Sequence, residues 1–250
     1  MSFDVPATPV EIVKVGHSAL RNGTRSVPQE LFGTPALHEL IDVMRVTLAG
    51  NGVGLAAPQI AVPLRLFVVE DTQDRMSHLT PEQQKARNRY PFPFEAVINP
   101  VCYATSPEMV IETEGCLSIP GFKADVCRYW AIEVEGFQPN GQRKIWSFKG
   151  WPARIFQHEI DHLDGRLFTD CMVPRTLTST SRTEQVVRPT YSNASPFRPN
   201  RPRKKKGIRR PTAQVPWLEP CLVERLIGSI RLECVDHLVV LSERRGDREC

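Results

Sequence analysis

The sequence is expected to fold as an α+β domain that ends near Arg175. Three observations permit that class: two helical patterns with their own start and stop signals, several short strand-like runs between them, and one strong hairpin turn. Thr34-Pro35 opens the first helix, since Thr34 can cap and proline fits the first helical position. Leu37, Leu40, Ile41, Met44 and Leu48 then fall on one face, and Gly50 supplies a stop. The run Asn51-Gly-Val-Gly-Leu-Ala-Ala-Pro-Gln59 is small, glycine-bearing and mostly uncharged, and it reads as a loop packed closely against something else. Residues 66–69 and 96–99 read as strands. Between them, residues 71–89 are polar and charged and read as an insertion with a short helix from Pro81. Residues 128–136 and 143–148 are strand-like and meet across Pro139-Asn140-Gly141. Pro152 opens a second helix, which Gly165 closes.

The formal net charge of +4 conceals an uneven distribution. Residues 176–250 hold 15 Lys/Arg against 8 Asp/Glu, and residues 1–175 hold 17 against 20. The basic character therefore belongs to the tail, and a nucleic-acid reading of the whole chain would rest on the tail alone. Residues 176–220 are rich in Ser, Thr, Pro and Arg, with eight basic residues in 198–210, and are expected to be disordered. Residues 221–250 regain apolar character and are expected to form one short helix at most. Cys221, Cys234, His237 and Cys250 match no recognisable zinc spacing.

Seven cysteines with no CxxC and no visible secretion signal make a disulfide framework improbable and favour a reducing compartment. No run approaches 18 consecutive apolar residues, so no membrane span is expected. The first fifteen residues contain Asp4 and Glu11 and no Arg, which is unlike a secretory signal or a transit peptide.

The strongest chemical signal is His158-Glu159-Ile160-Asp161-His162 on the second helix. Positions i and i+4 share a face, so both imidazoles can reach one metal ion, with Glu159 beside the first. A surface helix with two satisfied histidines is the ordinary alternative. Two histidines do not complete a catalytic site. A third histidine six residues on, as in one protease class, is excluded because Phe168 stands there. Cys116, in Glu114-Gly-Cys-Leu-Ser-Ile-Pro-Gly121, is the better third ligand, presented from a fixed loop. Taken alone it would read as a buried inert thiol.

Three segments together resemble the signature motifs of peptide deformylases: Gly52-Val-Gly-Leu-Ala-Ala-Pro-Gln59, Glu114-Gly-Cys-Leu-Ser118 and Gln157-His-Glu-Ile-Asp-His-Leu-Asp-Gly165. They occur in family order, and the resemblance runs from about residue 11 to 177. It includes the 71–89 insertion, similar to deformylases of plant organelles and some bacteria. The resemblance implies a twisted, mostly antiparallel sheet wrapped around the metal-binding helix 151–164. It implies Cys116, His158 and His162 as ligands of one divalent ion, Fe²⁺ or Zn²⁺, and Glu159 as general acid/base. The Gln59 amide and the Leu117 backbone N–H would hold the oxyanion, and Gly54 with Val53 would line the peptide-binding edge. Trp151 and Ile155 would wall the methionine pocket. Small residues around Ala56-Ala57 would keep the formyl pocket tight.

The implied activity is removal of formyl from N-formylmethionyl nascent peptides, in a mitochondrion, a plastid or a bacterial cytoplasm. The basic tail adds a ribosome or nucleic-acid contact to the expected partners. Two other readings compete: a zinc peptidase with a distant carboxylate ligand, which leaves two motifs unexplained, and a basic-tailed binding protein with a degenerate domain, although no motif residue is degraded. Ala61 departs from the family's usual Gly, and His17 stands near a position that is often acidic.

Overall fold

The computed structural model describes residues 8–180. The expectations for the tail from residue 181 onward lie outside the described residues. The chain forms α1 (Pro35–Leu48), β1 (Gly54–Ala56), β2 (Leu66–Asp71), α2 (Pro81–Ala86), β3 (Phe92–Ala104), β4 (Met109–Cys116), β5 (Ile119–Tyr129), β6 (Ala131–Phe137), β7 (Arg143–Lys149), α3 (Trp151–Leu163), α4 (Phe168–Cys171) and β8 (Thr178–Ser179). The named strands pair antiparallel in two sheets, one ordered β1-β2-β3-β6-β7 and the other β4-β5-β8. The pairing at β8 continues past Arg175.

Strand β2 shows why the sheet sits where it does. Leu66, Phe67, Val68 and Val69 are all fully buried, because the strand is covered on both faces. Leu66 and Val68 pack with Leu37, Leu40, Ile41, Met44 and Leu48 of α1. Phe67 and Val69 pack with Ala153, Ile155, Phe156 and Ile160 of α3. Alternation along one strand thus places α3 against the sheet on the face opposite α1.

Both helices start where the sequence indicates. The Thr34 side chain accepts from the Leu37 N–H, with Pro35 following, and α3 carries Pro152 in its first turn. The short helix from Pro81 is present, capped by Thr80 and Gln83.

Several strand boundaries differ from expectation. The expected loop 51–59 contains β1 and a 3-10 turn at Ala57–Ile60. The expected strand 96–99 is the middle of a longer one that bulges between Ile98 and Val101. There Asn99 adopts φ 52°, its side chain bonds both Val27 N–H and Val27 O, and Pro100 adds no donor. The expected single strand 128–136 is two strands. The chain leaves one sheet at Tyr129 and joins the other at Ala131. The Gln157 side chain clasps this corner, accepting from the Tyr129 N–H (3.0 Å) and donating to Tyr129 O (2.9 Å). A side chain from α3 therefore satisfies backbone groups that no sheet partner reaches.

Ala61 has φ 60° and ψ 17°, the left-handed region that disfavours a Cβ. Ala61→Gly is expected to raise unfolding free energy by about 1 kcal/mol, measured by denaturant titration, since relief of the clash outweighs the added chain entropy. His17 is exposed, and its Nδ1 accepts from the Ala19 N–H at the start of a short 3-10 turn.

Candidate metal centre and its cavity

His158 and His162 lie one turn apart on α3, with ring centroids 5.0 Å apart at 84°. Cys116 comes to them from the end of β4. The register of the β4–β5 hairpin shifts between Gly115 and Cys116, so Cys116 pairs with Ile119 across a tight turn. The fixed presentation expected of a loop is thus the work of a strand end and a bulge. The Cys116 Sγ stands 3.3 Å from His162 Nε2, and the three candidate ligand atoms lie within 4.8 Å of one another.

Behind the ligands is a network that motif reading did not assign. Glu114 is buried and accepts from Arg128 Nε and Nη2 (2.9 Å each) and from Arg154 Nη1 (2.7 Å). Its remaining contact is His158 Nδ1 at 3.0 Å. Burial opposes its ionisation, but Arg128 and His158 beside it hold the carboxyl well below the usual range. Arg128 Nη1 also reaches Asp161 Oδ2 (2.5 Å), tying β5 to α3. The Glu114 contact occupies Nδ1 of His158 and leaves Nε2 for a ligand, the arrangement by which an outer carboxylate fixes a metal-binding ring. Glu114 stands two residues before Cys116, a local spacing that could have marked it.

Glu159 is buried, and its Oε2 has no hydrogen-bond partner among the described residues. Burial pushes its carboxyl up to about 7. Gly54 on β1 makes room for it: a Cβ there would fall 2.2 Å from Glu159 Oε1. Gly54→Ala is expected to fold and to lose about 10²-fold in turnover, because the carboxylate is displaced by roughly an ångström. Rates compared at equal metal content check this.

Gln59 is fixed at both ends of its amide. Its Oε1 accepts from the Ala56 N–H (2.8 Å), and its Nε2 donates to Ser118 Oγ (3.2 Å) and lies 3.6 Å from Cys116 Sγ. A cavity of about 340 Å³ opens over these groups. Its walls include Val53, Gly54, Gln59, Cys116, Leu117, Trp151, Ile155, His158 and Glu159. Every site residue expected from the sequence is therefore gathered here except His162, whose buried ring meets the thiol from below the surface. Ala56 and Ala57 do not line the cavity. They are fully buried in the two cores, and Gly52, Val53 and Gly54 form that wall instead.

The donor set fits a metal ion. A thiolate and two imidazoles converge, and suit Zn²⁺ or Fe²⁺ alike. Burial pushes the His162 pKa well down, favouring the neutral imidazole a metal requires. His162 Nδ1 is also buried without a partner among the described residues. The four described cysteines, Cys102, Cys116, Cys127 and Cys171, are free thiols.

An α+β scaffold whose central helix offers two imidazoles to a strand-end thiol, with a carboxylate at its side, places the chain in the class of proteins able to hold a metal ion on a Cys-His-His set. The sequence profile of the polypeptide deformylase family matches residues 9–177, and the chain belongs to that family. It is 41% identical over 167 residues to peptide deformylase 1A, chloroplastic, of Solanum lycopersicum, covering 66% of this chain and 60% of that protein. To peptide deformylase, mitochondrial, of Homo sapiens it is 37% identical over 169 residues, 67% of this chain and 70% of that one. The chain thus spans about three-fifths of the tomato protein's length. Among solved structures, a Met-Ala-Ser-bound class I type b peptide deformylase from Acinetobacter baumannii superposes with a TM-score of 0.59 at 30% identity, covering 66% of this chain and 99% of that chain.

Proposed function

We propose that this chain removes the formyl group from N-formylmethionyl nascent peptides, releasing formate. The observation that carries the reading is the convergence of Cys116, His158 and His162 beside Glu159, whose buried Oε2 has no hydrogen-bond partner among the described residues, at the floor of a cavity. Cys116, His158 and His162 hold one divalent ion, Fe²⁺ or Zn²⁺. Such an ion supplies Lewis-acid polarisation and a water acidic enough to ionise near neutral pH. Glu159 takes the proton of the attacking water and passes it to the departing amine nitrogen. The Gln59 Nε2 and the Leu117 N–H donate to the formyl oxygen as it gains negative charge, each worth about 3–4 kcal/mol of barrier. Gln59 suits this task because its amide is already oriented by Ala56 and Ser118.

The peptide enters along Val53 and Gly54, and the methionine side chain lies against Trp151 and Ile155. The catalytic unit includes β8, whose pairing with β5 carries it past the expected end at residue 175. The segment beyond it, with its basic run 198–210, adds a salt-sensitive contact to ribosomal RNA or another polyanion. Translation that starts with formylmethionine places the substrate in a chloroplast, a mitochondrion or a bacterial cytoplasm, and the tomato and human relatives carry organellar names. Among the described residues no helix is long and apolar enough to cross a membrane.

The test is anaerobic metal analysis coupled to formate release from formyl-Met-Ala-Ser by the full chain. One metal per chain with formate release is expected. Cleavage of internal peptide bonds without formate release would overturn the reading in favour of a peptidase.

A further inference from the structure

The insertion plays no part in the proposed chemistry, yet its end is laid against the wall of the cavity. Asp71, the last residue of β2, takes Arg89 Nε at 2.9 Å and Nη2 at 3.1 Å in a two-pronged ion pair. The two side chains are 0% and 7% exposed, so the pair is sealed from water. The same guanidinium lies over the Trp151 indole, its Cζ 4.8 Å from the ring centroid. The Trp151 backbone N–H donates to Arg87 O (2.8 Å), and Asn88 Nδ2 donates to Lys149 O (2.9 Å). The approach is so close that a Cβ on Gly150 would fall 2.4 Å from Arg87 O. Trp151 is at once the first residue of α3 and a wall of the cavity, with Ile155 one turn along.

A guanidinium forked onto a buried carboxylate has a fixed plane, and a ring stacked beneath it is held by the same constraint. We propose that the insertion braces the cavity: Arg89, locked by Asp71, is a positioning residue that fixes the Trp151 indole. It thereby sets the width of the space that receives the first side chain of the formylated peptide. The inference rests on the deformylase reading above. Its competitor is an ion pair that only stabilises the inserted segment, which would lower Tm and leave selectivity untouched.

The test uses the full, metal-loaded chain under anaerobic conditions. Formyl-Met-Ala-Ser and formyl-Phe-Ala-Ser serve as substrates, and Met-Ala-Ser as a calorimetric ligand read without turnover. In Arg89→Ala, KM for the methionine substrate and Kd for Met-Ala-Ser are expected to rise together about 3- to 30-fold, the range of a desolvated cation–ring contact. Preference for methionine over phenylalanine narrows by a similar factor, and kcat changes less than KM. Arg89→Lys, which keeps a cation but loses the fork, falls between. In a Trp151→Ala background Arg89→Ala adds no further change, because both act on one ring.

Unchanged KM, Kd and selectivity in folded Arg89→Ala overturn the proposal. So does an equal loss for both substrates that adds fully to Trp151→Ala. Should Arg89→Ala not fold, Arg89→Lys is judged by the same criteria. Absence of formate release from the unmutated, metal-loaded chain is a separate result, and it overturns the deformylase reading and this inference together.

Discussion

Glu159→Ala is expected to keep a full complement of metal and to lose formate release by about 10²–10⁴-fold. Retention of metal follows from position. Glu159 is not one of the three converging donors, and the outer contact that orients His158 comes from Glu114. The loss of rate follows from chemistry. Glu159 is buried, its Oε2 has no hydrogen-bond partner among the described residues, and it lines the cavity, so its carboxylate is placed to carry the proton. Metal content by mass spectrometry and single-turnover formate release, both on one anaerobic preparation, give the two halves of the result. A variant with full metal and near-normal turnover would remove Glu159 from the reaction.

Cys116→Ala is expected to fold and to lose its metal, with occupancy falling far below one per chain after dialysis. The thiol is one of three donors, and an alanine leaves two imidazoles with nothing opposite them. Loss of an outer-sphere partner costs about 10–100-fold in affinity, and loss of a ligand costs more. The fold survives because Cys116 is a half-buried residue at the edge of a small cluster formed by Leu20, Ile119, Ala124, Val126, Leu167 and Phe168. Equilibrium dialysis against a competing chelator, with circular dichroism for the fold, decides the matter. Full occupancy in this variant would rule the sulfur out as a ligand.

What the sequence disclosed and what it hid divide along physical lines. The shared bearing of the two α3 imidazoles was legible because i and i+4 share a face by helix geometry alone. The cap at Thr34 was legible because a cap is settled within four residues. The β4–β5 hairpin was hidden, since its buried Glu114 looks like a surface charge until Arg128 and Arg154 arrive from other elements. The break at Trp130 was equally silent. It carries no glycine or proline, and its cause, the Gln157 clasp, lies 28 residues away. Arg89 gave no sign of touching Trp151, because 62 positions separate them and only the fold closes that gap. Cys116 could be paired with the helix only by elimination and family resemblance, not by spacing, for the same reason.

That clasp governs how the helix is clocked about its own axis. Successive residues of a helix are turned by about 100°, so a slip of one position would swing both imidazoles away from the sulfur. Gln157 immediately precedes His158 and is latched to a strand corner that cannot rotate. The bearing of the histidines is thereby inherited from the geometry of two sheets, and a lengthening or shortening of the corner at Tyr129 would spoil the aim of imidazoles it never touches.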